Sequence, residues 1–222
     1  MEQFLLEVED RIKDLDGTIP SHRACYKRGY SFSDRTFEEQ LPIWNYIWKN
    51  SNGSRAQIHS FLFLESRMKR KELHRALWDT SKAWQEDVEG WGFCDALAKI
   101  NTQVLVTFPA EVYQQLKEWN TADDIWKRRQ SVVSLLYYSK TKKEHPSFGK
   151  IAALVKPLLD DSDYYVQKGV GWTLREMYTV YPEQAIEFYR KNIKSISAIA
   201  FIIAMEKTPG KIKEELKLLR KK

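Results

Sequence analysis

Helical periodicity runs through almost the whole chain, while the alternation of apolar and polar residues typical of β-strands is nearly absent. Apolar residues recur at intervals of three and four, and short breaks between the segments carry Pro, Gly, Asn or Asp. The chain has 9 Gly and 7 Pro among 222 residues, which is few for a loop-rich or all-β protein. The sequence therefore predicts an all-α protein of roughly a dozen helices joined by short turns.

The predicted helices fall into loose pairs of roughly 35 to 40 residues, a spacing close to that of HEAT-type repeats. No linker or low-complexity tract divides the chain, so residues 1–222 are predicted to form a single HEAT-like repeat domain. The preferred architecture is a curved α-solenoid of antiparallel helix pairs, and an irregular helical bundle is the alternative. A solenoid has a concave face, and a basic concave face suits a long anionic partner.

Capping residues and prolines predict where several helices begin. Asp123 is predicted to cap one helix, and Asp161 or Ser162 to open another. Pro109 and Pro182 are predicted to lie in the first turns of two further helices, where the missing amide proton costs nothing.

Composition narrows the class of protein without identifying it. Lys and Arg exceed Asp and Glu by 36 to 30, which suits a polyanionic partner but does not require one. Cys25, Cys94 and the four His residues lack the spacing of a zinc site or a disulfide framework, so no metal is predicted. The charged N-terminus and the lack of a long apolar run predict a soluble protein, without a membrane partner, in a reducing cytoplasm.

One helix carries a tryptophan on the wrong face for core packing. The segment DYYVQKGVGWTLRE, residues 163–176, places Trp172 opposite the aliphatic stripe and on a face with Lys168 and Arg175. The stripe consists of Val166, Val170, Leu174 and Met177. Such an indole is either covered by a neighbouring helix or available for binding.

Two further helices carry side chains with the same kind of anomaly. Trp91 and Asp95 lie one turn apart, on the face opposite the apolar stripe of the segment from Val88 to Ile100. Arg129 lies within the apolar stripe of its own helix, where a guanidinium needs a carboxylate, a phosphate or a solvent-filled cleft. Asp95 is a candidate partner, and an arginine that snorkels from the edge of the core is the alternative. Together with Trp172, these residues suit a cationic group beside a phosphodiester.

Three stretches of the sequence resemble a known family. They are GWGFCD at 90–95, IWKRRQSVVSLLYY at 125–138 and YYVQKGVGWTLREMY at 164–178. They are similar to the AlkD-like DNA alkylation repair family, a group of DNA glycosylases built from HEAT-like repeats. The resemblance covers about residues 88–189, and the string VQKGVGWTLRE is its most specific part.

The resemblance implies a function and assigns roles to the four unusual side chains. The family excises cationic alkylated bases such as 3-methyladenine and 7-methylguanine from duplex DNA, with no metal or organic cofactor. Its catalytic residues match Asp95, Trp91, Trp172 and Arg129. Asp95 is expected to stabilise an oxocarbenium-like sugar and to position a water molecule, while the two indoles pack against the deoxyribose and the cationic nucleotide. Arg129 is expected either to contact a phosphate or to orient Asp95.

The remaining expectations concern DNA contact, and rival functions stay open. Lys127, Arg128, Lys168 and Arg175 are candidates for contacts with backbone phosphates of the duplex, which position DNA without reading its sequence. The protein is expected to act as a monomer.

One alternative is a paralogue without catalysis that binds branched or distorted DNA, since related branches of the family do so. Another is a protein-interaction scaffold, a common use of α-solenoids.

Overall fold

The computed structural model describes residues 1–51 and 53–221, which form thirteen α-helices, four short 3-10 helices and no β-strand. The α-helices are α1 Glu2–Ile12, α2 Ile19–Lys27, α3 Phe37–Asn50, α4 Ser54–Glu65, α5 His74–Trp84, α6 Trp91–Thr107, α7 Pro109–Asn120, α8 Ile125–Val133, α9 Phe148–Val155, α10 Tyr164–Val180, α11 Pro182–Asn192, α12 Ala198–Ala204 and α13 Gly210–Lys221. The all-α prediction is confirmed. None of the helices in the described ranges combines the length and apolar content that crossing a membrane requires.

The chain divides into two compact units, Met1–Asp87 and Val88–Lys222. The first unit contains α1 to α5 and is built around aromatic side chains. Trp44 and Phe63 are almost completely buried and stack on each other, and Trp48 stacks on Trp84 with ring centroids 4.3 Å apart. These large rings fill the space between α3, α4 and α5. The expectation of a single domain over 1–222 stays a prediction.

A chain of buried polar groups crosses the interior of the first unit. The Tyr30 hydroxyl lies 2.5 Å from His59 Nδ1, and His59 Nε2 lies 2.9 Å from His22 Nδ1. Both histidine side chains are fully buried. Burial lowers the pKa of His59 to about 4 and also lowers the pKa of His22, so both rings are neutral at neutral pH.

The second unit contains α6 to α13 and is organised around α10. Helices α6, α7 and α8 pack on one another, and α10 packs against α8, α9, α11 and α12. Contacts between elements that lie near one another in the chain are typical of helical repeats. Prolines open α7 and α11, as predicted. Cys25 and Cys94 are both free and buried.

The two glycines within α10 allow two neighbouring helices to approach its backbone. A Cβ atom at Gly171 would lie 2.8 Å from both the Cα and the carbonyl oxygen of Ala200 in α12. A Cβ atom at Gly169 would lie 3.0 Å from Cγ of Arg129 in α8. The predicted aliphatic stripe of α10 is fully buried on the same helix. The glycines therefore serve packing on two sides rather than breaking the helix.

The predicted caps of α8 and α10 are displaced by one or two residues. The N-caps are Asp124 and Asp163, and each carboxylate accepts hydrogen bonds from the amides two and three residues further on. The predictions of Asp123 and of Asp161 or Ser162 are therefore wrong. Asp161 instead accepts hydrogen bonds from the backbone amide of Asp163 and from an arginine of α8, so its carboxylate is engaged outside the helix.

Candidate active site

Asp95 and Arg129 form an ion pair between α6 and α8. Arg129 donates through Nε at 3.1 Å and through Nη2 at 2.8 Å, and both bonds end on Oδ1 of Asp95. Within the described part of the chain no side chain or amide donates to Oδ2 of Asp95. Charge-assisted bonds of this kind hold a carboxylate in one orientation. One oxygen is thus fixed, and the other stays available to a ligand.

Arg129 also links this pair to α10. Its Nη1 donates to the carbonyl oxygen of Tyr165 at 2.7 Å, and the residue is only 6% exposed. All three donor nitrogens of the guanidinium are therefore engaged by groups of the protein. Arg129 is bonded to Asp95 by two of these nitrogens, and both roles expected for it, contact with a phosphate and orientation of Asp95, stay predictions. A Cβ atom at Gly169 would stand 3.3 Å from Nη1, so the glycine leaves room for the guanidinium.

The environment of Asp95 shifts the pKa of its carboxyl upward. Burial is the main cause, and the charges of Arg129 and Lys168 together with the hydrogen bonds from Arg129 oppose it. The carboxylate is half-buried, with 25% of its side chain exposed. Its ionised form therefore depends on the neighbouring cations, and its charge acts through a medium of lower polarity than water.

Trp91 is the most exposed tryptophan near this pair. It is the first residue of α6, one turn before Asp95, and 58% of its surface is accessible. Gly90 precedes it in an extended backbone conformation and accepts the first helical hydrogen bond from the amide of Cys94. An indole this exposed contributes little to the core, and its faces are open to a ligand.

Trp172 is half-buried on α10, two turns beyond Tyr165. Its ring centroid lies 5.4 Å from that of Tyr137 and 6.3 Å from that of Tyr138. The guanidinium carbon of Arg175 lies 5.8 Å from the same ring. The tryptophan is therefore partly covered by the chain that follows α8, and it combines an aromatic surface with a positive charge.

The four basic residues expected to contact DNA have different surroundings. Lys168 is exposed, its Nζ lies 5.3 Å from the ring centroid of Tyr164, and its charge acts on Asp95. Arg175 pairs with Glu206 and lies against Trp172.

Arg128 and Lys127 lie on α8 away from the ion pair. Arg128 binds the carboxylate of Asp161 at 2.8 and 3.3 Å and donates to the carbonyls of Ala122 and Asp123, which engages its guanidinium inside the protein. Lys127 is half-buried. The structure brings Lys168 close to the ion pair and Arg175 to Trp172, and it does not bring Arg128 there. The DNA contacts of all four residues stay predictions.

Sequence reasoning missed several groups that build this site. The Tyr165 carbonyl and Gly169 fix the guanidinium, and Tyr137 and Tyr138 cover part of Trp172. The spacing of Gly169 from Tyr165 and Trp172, four and three residues, is the one signal in the sequence that places them on one helical face. Over residues 1–51 and 53–221, no three His, Cys, Asp or Glu side chains lie where they could share a metal ion.

Comparisons with known proteins agree with the fold and with the resemblance in sequence. A family model described as DNA alkylation repair enzyme matches residues 18–208. A search of curated proteins found no match.

Three solved structures share the fold at low sequence identity. AlkD2 from Streptococcus mutans has a TM-score of 0.64 at 17% identity, with 93% of this chain and 98% of that chain covered. A predicted DNA alkylation repair enzyme from Enterococcus faecalis has a TM-score of 0.72 at 16% identity, covering 94% and 96%. The smu.31 protein from Streptococcus mutans UA159 has a TM-score of 0.58 at 16% identity, covering 100% and 98%. The likeness extends over nearly the whole of each chain.

Proposed function

The chain belongs to the DNA alkylation repair enzyme family, and from that premise we propose that it is a monofunctional DNA glycosylase. It hydrolyses the N-glycosidic bond of cationic alkylated bases, such as 3-methyladenine and 7-methylguanine, in duplex DNA. The observation that supports this proposal is the Asp95 carboxylate, which Arg129 holds by one oxygen while the other is free. The partner is double-stranded DNA that carries such lesions, and the protein acts as a monomeric, single-domain enzyme of the cytoplasm.

The chemistry needs a fixed negative charge more than a proton donor. Alkylation at a ring nitrogen makes the base cationic and a good leaving group, so positive charge develops on the deoxyribose as the bond stretches. A carboxylate that is already oriented stabilises this charge without reorganising during the reaction. Asp95 meets this requirement because Arg129 binds Oδ1 and leaves Oδ2 to face the sugar and to position the attacking water.

The tryptophans supply the surfaces that hold the cationic nucleotide. Trp91 exposes its indole one turn from Asp95, and Trp172 lies on the helix whose carbonyl binds Arg129. Aromatic faces attract cations, and packing against the deoxyribose restricts where the sugar can lie relative to a carboxylate. The attraction of aromatic faces for cations favours the alkylated nucleotide over a neutral one.

Binding to duplex DNA rests on positive charge. The chain carries a formal net charge of +6, and Lys168 stands exposed beside the ion pair. Each phosphate contact releases counterions, so affinity for duplex DNA falls as salt rises. Lys168→Gln reduces the salt dependence of binding, and Asp95→Asn does not.

Base release from methylated duplex DNA tests the proposal. The wild-type protein is expected to release 3-methyladenine or 7-methylguanine, and Asp95→Asn to lower kcat/KM by at least about a hundredfold, as for loss of other charge-stabilising groups. DNA affinity of this variant stays close to that of the wild type. Asp10→Asn, the same change at an exposed aspartate of α1, serves as the matched control and retains activity.

The same preparation separates the enzyme from the rival function. A wild-type protein that binds a four-way junction more tightly than plain duplex, and releases no base from either, is a DNA-structure-binding protein and not a glycosylase. Full activity in Asp95→Asn contradicts the assigned role of the carboxylate.

A further inference from the structure

Tyr138 has a backbone conformation that side chains rarely adopt. Its φ is 48° and its ψ is 56°, and it is the one residue other than glycine with positive φ in the described ranges 1–51 and 53–221. The left-handed region brings Cβ close to the following carbonyl oxygen, which is unfavourable for a tyrosine. Non-glycine residues held in this region cluster at functional sites, where the surrounding structure enforces the conformation.

A buried carboxylate fixes the turn that contains Tyr138. Ser139 donates to Oε2 of Glu176 through its hydroxyl at 2.6 Å and through its amide at 3.3 Å. Glu176 lies on α10, is 3% exposed, and binds Nζ of Lys207 at 2.6 Å through its other oxygen. Burial alone would raise the pKa of Glu176, but the bonds from Lys207 and Ser139 outweigh it and keep this pKa below its usual range. The ionised carboxylate of Glu176 therefore fixes the turn through its bonds to Ser139.

The turn places the Tyr138 ring beside Trp172 and leaves it open to solvent. The ring is roughly perpendicular to those of Trp172 and Tyr137, with centroids 6.3 and 4.7 Å away. Tyr138 is nevertheless 60% exposed. Core packing does not account for a strained residue whose ring gains so little burial. The arrangement instead extends the aromatic surface of Trp172 outward.

We propose that Tyr138 is a further substrate-contacting residue, whose ring packs against the DNA strand that carries the lesion, beside the nucleotide held by Trp172. The inference rests on the proposed function. DNA strands suit such a surface because bases and deoxyribose pack on aromatic rings without regard to sequence. Arg175, 5.8 Å from the Trp172 ring, provides positive charge for the adjacent phosphates. Glu176 is a positioning residue that acts through Ser139.

Two substitutions at Tyr138 separate contact from structure. Tyr138→Phe keeps the ring and the turn, so its kcat/KM for base release and its affinity for DNA fall less than those of the variant without the ring. Tyr138→Gly removes the ring and adopts positive φ without strain, so its melting temperature is unchanged or higher. Loss of one aromatic packing partner lowers its kcat/KM and its affinity for duplex DNA by about tenfold.

The readouts distinguish failure of this inference from failure of the proposed function. If the wild-type protein releases no base, the proposed glycosylase function is wrong. The contact between Tyr138 and DNA is then tested by the ratio of the DNA dissociation constants of Tyr138→Gly and wild type. Equal release and equal affinity in the two proteins overturn the contact alone. If Tyr138→Gly has a lower melting temperature and an unchanged affinity for DNA, the ring stabilises the fold and does not contact DNA. Absence of DNA binding by the wild type overturns both proposals.

Discussion

Gly171 lies where the backbones of α10 and α12 approach each other closely, and its replacement by alanine tests this packing. A Cβ atom there would stand 2.8 Å from two backbone atoms of Ala200 and 2.9 Å from Cβ of Ile203. These distances are shorter than carbon contacts allow, and the atoms of Ala200 belong to the main chain of another helix. Relief therefore requires that α12 move as a whole.

The size of the effect follows from two opposing contributions. Overpacking a well-packed interior costs about 1–3 kcal/mol, and contact with backbone atoms places Gly171→Ala near the upper value. Alanine recovers up to ~1 kcal/mol of helix propensity relative to glycine. The net destabilisation is about 2 kcal/mol, which lowers the melting temperature of a protein of this size by about 4–8 °C.

Thermal unfolding followed by circular dichroism measures this difference. Gly149→Ala is the matched control, because Gly149 lies in α9 and a Cβ atom there would meet nothing within 4 Å. The control is expected to raise the melting temperature by up to about 2–4 °C. A Gly171→Ala protein as stable as the Gly149→Ala protein would refute the close approach of α10 and α12.

Three further outcomes follow from the buried ionisable groups. Arg129→Ala leaves Asp95 without its cation, so base release should be abolished. The free energy of unfolding from denaturant titration should fall by about 3–5 kcal/mol, and an unchanged value would contradict a buried ion pair. Since burial raises the pKa of Asp95, kcat/KM should decline on acidification at a pH above the usual aspartate pKa of about 4, and a decline at or below that value would contradict the shift. Burial lowers the pKa of His59 from 6.5 to about 4, so the unfolded chain binds this proton more readily. The free energy of unfolding should therefore fall as the pH drops through that interval, by up to ~1.4 kcal/mol per pH unit, and His59→Gln should reduce this slope in unfolding measured against pH.

Site residues are easiest to predict from the sequence where the type of a residue conflicts with its position on a helix. Arg129 lies in an apolar stripe, and a guanidinium there needs a carboxylate, a phosphate or a solvent-filled cleft, so the sequence offers Asp95 as a candidate partner. Trp91 and Trp172 stand out in the same way, because they lie on faces where the core needs no indole. The four aliphatic side chains of α10 are buried as their spacing predicts. Periodicity identifies these positions as unusual, and the folded contacts decide between the alternatives.

Other features depend on contacts that sequence spacing does not encode. Arg128 has the same surface-helix pattern as Lys168, but Asp161 and two carbonyl groups engage it in the folded protein. The strained conformation of Tyr138 depends on Ser139 meeting Glu176, which lies 37 residues further along the chain. The cap of α10 differs from the predicted one because the carboxylate of Asp161 binds Arg128, while that of Asp163 binds the first amides of the helix.

The three bonds of Arg129 also make the local opening of the second unit cooperative. A single buried cation joins the carboxylate of Asp95 on α6 to the carbonyl of Tyr165 on α10, and it is itself part of α8. Separation of any one of these helices would leave a charged or polar group unpaired in the interior, which is costly. Amide hydrogens of the three helices should therefore exchange with solvent at similar rates, as one unit, and more slowly than those at the ends of the chain.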